Sequence, residues 1–142
     1  MKFSTLLLVD DDAAHSTLVE RNLRRVGYNR TIIKLENGQE ALDWLDNNRL
    51  ENLVPEVPFI LLDINMPVKN GIEVLEQIKS NQDTKHVPVV MLTTTDDPNE
   101  VKLCYKLGCN AYITKPVIHN EFKEKIRELG LFINILSSPM EQ

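Results

Sequence analysis

Apolar residues fall in five short runs along the chain, and each run ends in polar or charged residues. The runs span residues 6–9, 31–35, 59–62, 87–92 and 111–113. A run of this length between polar segments predicts a buried strand. The stretch over residues 46–56 is polar and irregular instead, and we expect a long surface loop there.

The segments between the runs carry apolar residues at helical spacing. Helices are predicted over residues 14–26, from the Asn37-Gly38 turn through residue 45, over 70–80 and over 98–107, with a fifth beginning near residue 119 or 120. Gly27 and Gly108 stand where the first and fourth of these helices would end. Strands and helices that alternate in this way predict an α/β fold, with a parallel sheet and helices on both faces.

The ends of the predicted strands carry the residues that could do chemistry. Because parallel strands open at one edge of a sheet, we expect five residues to meet there: Asp10, Asp11, Asp63, Thr93 and Lys115. Clustered carboxylates repel one another unless a cation neutralises them, and oxygen ligands without His or Cys favour Mg²⁺ over Zn²⁺. Carboxylate, cation, ammonium and hydroxyl together suit a transferring phosphoryl group, for which an aspartate can be the nucleophile.

Composition narrows the possible classes of protein. The chain has 142 residues, 42% hydrophobic and 26% charged, as in one soluble globular domain. It contains no apolar run near the twenty or so residues of a membrane span and no signal peptide, so we expect a cytoplasmic protein that does not bind membranes. A net charge of -5 argues against a nucleic-acid partner. Cys104 and Cys109 match no common metal motif and are interpreted as buried apolar residues.

From residue 6 to about residue 129, the chain resembles the receiver domain of bacterial two-component response regulators. The matching positions are Asp10 and Asp11 after the first strand, Asp63 with Met66-Pro67 after the third, Gly71 at the next helix, Thr93 after the fourth strand, and Lys115-Pro116 after Tyr112. The resemblance implies a flavodoxin-like sheet with strand order 2-1-3-4-5. It also implies a phosphorelay function.

The resemblance also implies a role for each matching residue. Asp63 would accept a phosphoryl group from a histidine kinase, and Asp11 and Asp63 would ligate Mg²⁺, with Asp10 acting partly through water. The backbone carbonyl of Asn65 would complete the protein's share of the ligands. Lys115 would hold the phosphoryl oxygens, with help from a cis bond before Pro116.

A switch to an output surface is implied as well. Thr93 would turn inward to the phosphoryl group, and Tyr112 would follow from an exposed to a buried position. The output face would be the fourth helix, fifth strand and fifth helix, which would pass the signal to a separate downstream protein. Thr94 and Thr95 are adjacent hydroxyls, and the family match is what selects Thr93.

We expect residues 1–130 to form the receiver domain and residues 131–142 an apolar extension, with no output domain attached. The tail and the long loop are similar to a single-domain subgroup that is associated with phytochrome-type histidine kinases. In that subgroup the extended last helix contributes to dimers, so a homodimer is expected through the last helix and the tail. The tail packing back on its own domain is the alternative.

Three other functions share features with this one but lack support from particular residues. A phosphatase of the haloacid dehalogenase type needs a second acid two residues after its nucleophile, and Asn65 stands there instead. A receiver-fold interaction module that is not phosphorylated normally lacks one of the acids or the lysine, and all are present. P-loop nucleotide binding requires a glycine-rich loop that ends in Lys-Ser or Lys-Thr, and the sequence contains none. The alternative for Tyr112 is a plain core role. His15, His86 and His119 are interpreted as surface residues that bind no ligand.

Overall fold

The computed structural model describes residues 2–25, 27–48, 56–64, 66, 69–93 and 97–114; for residues 2–4, 56, 57 and 93 the description covers the main chain. Strands and helices alternate throughout. In chain order they are β1 (Lys2–Val9), α1 (Ala13–Arg25), β2 (Thr31–Leu35), α2 (Gly38–Asn47), β3 (Glu56–Leu62), α3 (Gly71–Ser80), β4 (Val89–Thr93), α4 (Pro98–Leu107) and β5 (Ala111–Thr114). The fifth predicted helix, the tail and residues 49–55 of the predicted loop lie outside the described residues.

The five strands form one parallel sheet in the order β2-β1-β3-β4-β5. This confirms the predicted α/β fold and its strand order. Side chains alternate between the two faces of the sheet, as strand geometry requires. One face packs with α2, α3 and Cys104 of α4 around Val9 and Leu62, and the other packs with α1 around Leu8 and Leu61.

The register of the two central strands decides where the acidic residues lie. In the pairing of β1 with β3, Val9 stands opposite Leu62. Asp10 and Asp63 each follow one residue later, at the carboxyl ends of neighbouring strands, which lie roughly 4.8 Å apart in a sheet. The register therefore places these two aspartates side by side.

The first and third strands are longer than predicted. The apolar pattern predicts starts at residues 6 and 59, whereas β1 begins at Lys2 and β3 at Glu56. Pro58 thus lies inside β3 and not before it, and the register of the pair shifts between Phe3 and Thr5, opposite this stretch. Proline cannot donate to a ladder, so a local irregularity accommodates it. Pairing between the strands, not an apolar run, extends both.

Side-chain and glycine caps close the ends of the helices. Asn70 and Glu73 form a reciprocal capping box at the start of α3, and Asn37 caps α2 by accepting the amide of Glu40. Gly108 ends α4 with a φ of 109°. Among the described residues, no helix combines the length and the apolar composition needed to cross a bilayer.

The two cysteines are buried at the end of α4, as the sequence predicts. The Cys109 amide donates to the Cys104 carbonyl at 3.0 Å, which completes the turn that closes the helix. Both are free thiols. Burial raises the pKa of Cys104 to about 11 and raises that of Cys109, so both thiols are protonated at neutral pH and act as small apolar residues.

Candidate functional site

Three carboxylates meet at the carboxyl edge of the sheet. Asp10, Asp11 and Asp63 can each offer an oxygen such that the three oxygens lie within 4.8 Å of one another. Asp10 and Asp63 are only 4% and 7% exposed, while Asp11 is exposed to solvent. Two nearly buried carboxylates beside a third is a costly arrangement without a cation.

Main-chain hydrogen bonds fix the two buried aspartates. The amide of Asp63 donates to the Val9 carbonyl, and the amide of Asp10 donates to the Leu35 carbonyl, both at 3.0 Å. The sheet ladder therefore continues one residue past β1 and β3. Because the aspartates belong to this ladder, their carboxylates project from a rigid part of the backbone.

The start of α1 organises the side chain of Asp10. Its Oδ1 accepts the Asp12 amide at 2.9 Å, and Asp12 in turn accepts the amides of Ala14 and His15 as the cap of α1. This cap brings the His15 ring to the site, where Nδ1 lies 3.8 Å from Oδ2 of Asp10. The sequence predicts a surface residue, whereas the side chain of His15 is 33% exposed and borders the acidic cluster.

Sequence reasoning missed this position of His15. A signal was available, because Asp12 is a strong helix cap and His15 stands three residues after it, in the first turn of the helix. The side chains of that turn border the edge of the sheet where Asp10 follows β1.

Gly71 allows α3 to begin directly against the main chain of Asp63. Its amide donates to the Ile64 carbonyl at 2.8 Å. A Cβ atom at this position would lie 2.3 Å from the Asp63 carbonyl oxygen and 2.8 Å from the Cα of Ile64. Only glycine permits so close an approach, and the contact ties α3 to the residue that follows β3.

A groove of about 200 Å³ opens beside the acidic pair, between α1 and the end of β2. Its lining comprises Asp10, Asp11, Ala13, Ser16, Thr17, Lys34, Leu35 and Glu36. The groove leads from solvent to two of the three carboxylates. A small ligand can therefore reach the cluster from this side.

The residues expected to form the switch lie at the next strands of the sheet. Thr93 is the last residue of β4 and pairs with Thr114 of β5; its side chain is outside the description. Tyr112 is half-buried, packs against the core on the α4 side and donates its hydroxyl to Oε1 of Glu100 at 3.2 Å. It is therefore not a plain core residue. Asn65, Lys115 and Pro116 lie outside the described residues.

The donor set fits a hard divalent cation. All three side chains offer carboxylate oxygens, and their mutual approach within 4.8 Å matches the separations of ligands around one ion. Such a site favours Mg²⁺ or Mn²⁺, which prefer oxygen ligands. The acidic cluster predicted from the sequence is thus assembled by the fold.

The comparison with protein families decides what kind of domain carries this site. Residues 6–127 match the model of the response regulator receiver domain. This chain belongs to that family. Receiver domains act in two-component signalling as phosphoacceptors, not as classical enzymes, and they bind Mg²⁺ or Mn²⁺ at an acidic site. The phosphatase alternative receives no support from this match.

Individual proteins of known sequence or structure show how similar this chain is to other receiver domains. The chain is 40% identical to the response regulator Rcp1 of a Synechocystis species over 110 residues, 78% of this chain and 75% of Rcp1. It superposes on a receiver domain from Rhodospirillum rubrum with a TM-score of 0.85 and 43% identity, covering 92% of this chain and 94% of that one.

Two further similar structures carry a bound ion or a phosphorylation. The Mn²⁺-bound form of Rcp1 has a TM-score of 0.81 and 32% identity, with 96% of each chain covered. The phosphorylated cyanobacterial phytochrome response regulator RcpA has a TM-score of 0.82 and 29% identity, with 96% and 97% covered. Receiver domains of phytochrome response regulators interact with histidine kinases.

Proposed function

We propose that this receiver domain is switched by phosphorylation of Asp63, with a sensor histidine kinase as the donor. The observation that carries the proposal is the meeting of Asp10, Asp11 and Asp63 within 4.8 Å at the carboxyl edge of the sheet. An oxygen of Asp63 attacks the phosphorus of the kinase's phosphohistidine. The phosphorus–nitrogen bond breaks, and its electron pair returns to the imidazole, which takes up a proton.

The position of Asp63 supports its role as the acceptor. It follows β3, which lies between β1, the strand that precedes the acidic pair, and β4, the strand that ends at Thr93. Asp10 has one oxygen engaged by the Asp12 amide and the other near His15, which suits a supporting role. Asp63 therefore lies between the strand that precedes Asp10 and Asp11 and the strand that ends at Thr93.

In this proposal Asp10, Asp11, Asp63 and the backbone carbonyl of Asn65 hold Mg²⁺. Bound there, Mg²⁺ would neutralise phosphoryl oxygens that the carboxylates otherwise repel. Asp11 and Asp63 would be its direct ligands, and Asp10 would act partly through water. Lys115, with help from the predicted cis bond before Pro116, would hold the remaining phosphoryl oxygens.

Thr93 and Tyr112 carry the signal away from Asp63. Thr93 turns towards the phosphoryl group, and Tyr112 rotates inward into the space that this turn provides. The surface formed by α4, β5 and the fifth helix then changes, and a downstream protein reads the change. Tyr112 is half-buried on β5 beside α4, a position from which rotation alters this surface.

The remaining proposals concern the setting of the domain. The kinase is of the phytochrome type, in keeping with the likeness to Rcp1 and RcpA. The receiver spans residues 1–130 of a cytoplasmic protein, and the last helix with residues 131–142 forms a homodimer. No nucleic acid or membrane takes part.

Intact mass spectrometry after incubation with acetyl phosphate tests the chemistry. The wild type is expected to gain one phosphoryl group with Mg²⁺ and none with a chelator. Asp63→Asn is expected to gain none, while Asp43→Asn, which changes an exposed acid on α2, is expected to behave as the wild type.

A phosphoryl group that persists on Asp63→Asn would overturn the assignment of the acceptor. Some receivers accept only from their kinase, so a wild type without an adduct is next titrated with beryllofluoride, which mimics the phosphoryl group. Failure of Mg²⁺-dependent beryllofluoride binding as well would favour an interaction module that is not phosphorylated.

A further inference from the structure

We propose that Glu100 is a positioning residue for the switch, whose carboxylate holds the Tyr112 ring at the α4 edge of the sheet. Inward rotation of Tyr112 then requires this hydrogen bond to break. Glu100 thereby sets how readily the domain adopts its switched arrangement. The inference rests on the proposed function, in which Tyr112 rotates when Asp63 is phosphorylated.

The contact joins two elements of the proposed output face. The Tyr112 hydroxyl on β5 donates to Oε1 of Glu100 on α4 at 3.2 Å, and both side chains are half-buried. At 3.2 Å the bond is longer than the roughly 2.5–2.7 Å of the strongest hydroxyl–carboxylate bonds, so its weight is that of one ordinary hydrogen bond. Partial burial limits competition from water. The bond therefore favours the ring position seen here over an inward one.

The carboxylate of Glu100 is itself well placed. It lies in the first turn of α4, where the helix dipole stabilises a negative charge. Asp97 caps this turn by accepting the Asn99 amide at 3.0 Å, and its carbonyl accepts the Val101 amide at the same distance. The acceptor is thus held by an ordered helix start and needs little further ordering to meet the Tyr112 hydroxyl.

Few side chains of α4 are buried, so its hydrogen bond to Tyr112 matters for the position of the helix. Within the ten residues of the helix, only Cys104 is buried. Leu103 and Tyr105 are 41% and 50% exposed. Besides Cys104, the partly buried Leu107 packs against the core, and both residues lie in the second half of the helix. The hydrogen bond to Tyr112 therefore supplements few apolar contacts at the start of α4.

Removing the negative charge of Glu100 can change ligand affinity even without its hydrogen bond to Tyr112. We call that hydrogen bond the Glu100–Tyr112 latch. The start of α4 lies at the edge of the sheet that carries the acidic cluster, so removing any negative charge there favours an anionic ligand. That effect does not depend on the Tyr112 hydroxyl. A latch does depend on it, and a double-mutant cycle distinguishes the two.

The cycle uses the affinity for beryllofluoride at saturating Mg²⁺, measured by isothermal titration calorimetry on the full chain. Glu100→Ala is expected to tighten binding about fivefold, the equivalent of one hydrogen bond. Tyr112→Phe is expected to tighten it similarly. In the Tyr112→Phe background, Glu100→Ala is expected to add less than about twofold.

Two further variants serve as controls. Glu40 occupies the same position in the first turn of α2 as Glu100 in α4. Glu40→Ala is therefore expected to change the beryllofluoride affinity by the same factor in the wild-type and the Tyr112→Phe backgrounds. Glu100→Gln keeps the shape of the side chain and a neutral acceptor, and it is expected to give an intermediate effect of about twofold, which guards against misfolding of the alanine variant.

Equal effects of Glu100→Ala in the two backgrounds would overturn the latch and leave only charge. Wild-type affinity in both Glu100 variants would overturn it as well. A wild type that binds no beryllofluoride through Asp63 would refute the proposed function itself, and that outcome is recognised before any Glu100 variant is compared.

Discussion

Replacing Gly71 with alanine tests the close contact between α3 and the proposed phosphoacceptor. The new Cβ would lie 2.3 Å from the Asp63 carbonyl oxygen, and an ordinary carbon–oxygen contact needs about 3.3 Å. Main-chain atoms must therefore separate by roughly 1 Å. No side chain can rotate to relieve this overlap, because the obstructing atoms belong to the backbone of Asp63 and Ile64.

The expected loss of stability follows from this overlap. Overpacking of a buried site costs about 1–3 kcal/mol, and a backbone clash belongs at the upper end of that range. The lower entropy of the unfolded alanine variant offsets up to about 1 kcal/mol. We expect a net loss of about 2 kcal/mol, which lowers the urea midpoint by about 1 M for a slope of about 2 kcal/mol/M.

The effect on chemistry is expected to be larger than the effect on stability. The Gly71 amide is bonded to the Ile64 carbonyl, so displacing α3 moves the residues next to the Asp63 carboxylate. Misplacement of a reacting group by about 1 Å can cost about 10²-fold in rate. The assay is the rate of phosphorylation by acetyl phosphate with Mg²⁺, followed by intact mass under conditions where the variant is folded.

Gly38→Ala is the matched control. Its Cβ would meet Cγ2 of Val74 at 2.3 Å and the main-chain oxygen of Lys69 at 2.9 Å, and its three nearest contacts include no atom of Asp63 or Ile64. This variant is expected to lose stability while its phosphorylation rate stays within about threefold of wild type, because no Asp63 atom is displaced. A Gly71→Ala protein with the wild-type midpoint and rate would refute the reasoning.

Three further predictions concern other parts of the chain. The Tyr28 hydroxyl is buried and finds no hydrogen-bond partner among the described residues, so Tyr28→Phe is expected to raise the free energy of unfolding at pH 7 by roughly 1 kcal/mol. Burial raises the pKa of Tyr28 from 10.0 to about 12, so above pH 10 the unfolded chain releases the tyrosine proton while the folded chain keeps it. The wild-type free energy of unfolding is therefore expected to fall more steeply from pH 10 towards pH 12 than that of Tyr28→Phe, and an equal pH dependence would contradict this. Lys115→Ala is expected to slow phosphorylation of Asp63 and to abolish the response of a fluorotyrosine label at position 112 to beryllofluoride; a retained response would remove Lys115 from the switch. Deleting residues 131–142 is expected to convert dimer to monomer in sedimentation, and an unchanged profile would favour the tail packing on its own domain.

Much of the fold could be predicted because its signals are local. The apolar run over residues 59–62 and the cap at Asn70 act within a few residues of their own positions. The start of β3 could not be predicted in this way. Its first residues pair with the beginning of β1 across a register shift, and neither segment carries an apolar run.

The sequence by itself determined which residues end the strands, and with them the type of site: carboxylates after β1 and β3, and a parallel sheet that opens them to one edge. Only the tertiary structure decided which side chains touch. The pairing of Val9 with Leu62 sets Asp10 beside Asp63, the cap of α1 brings His15 to Asp10, and the packing of α4 against β5 joins Glu100 to Tyr112. Contacts of this kind depend on register and on the packing of elements distant in the chain, and a periodic pattern along one segment does not encode either.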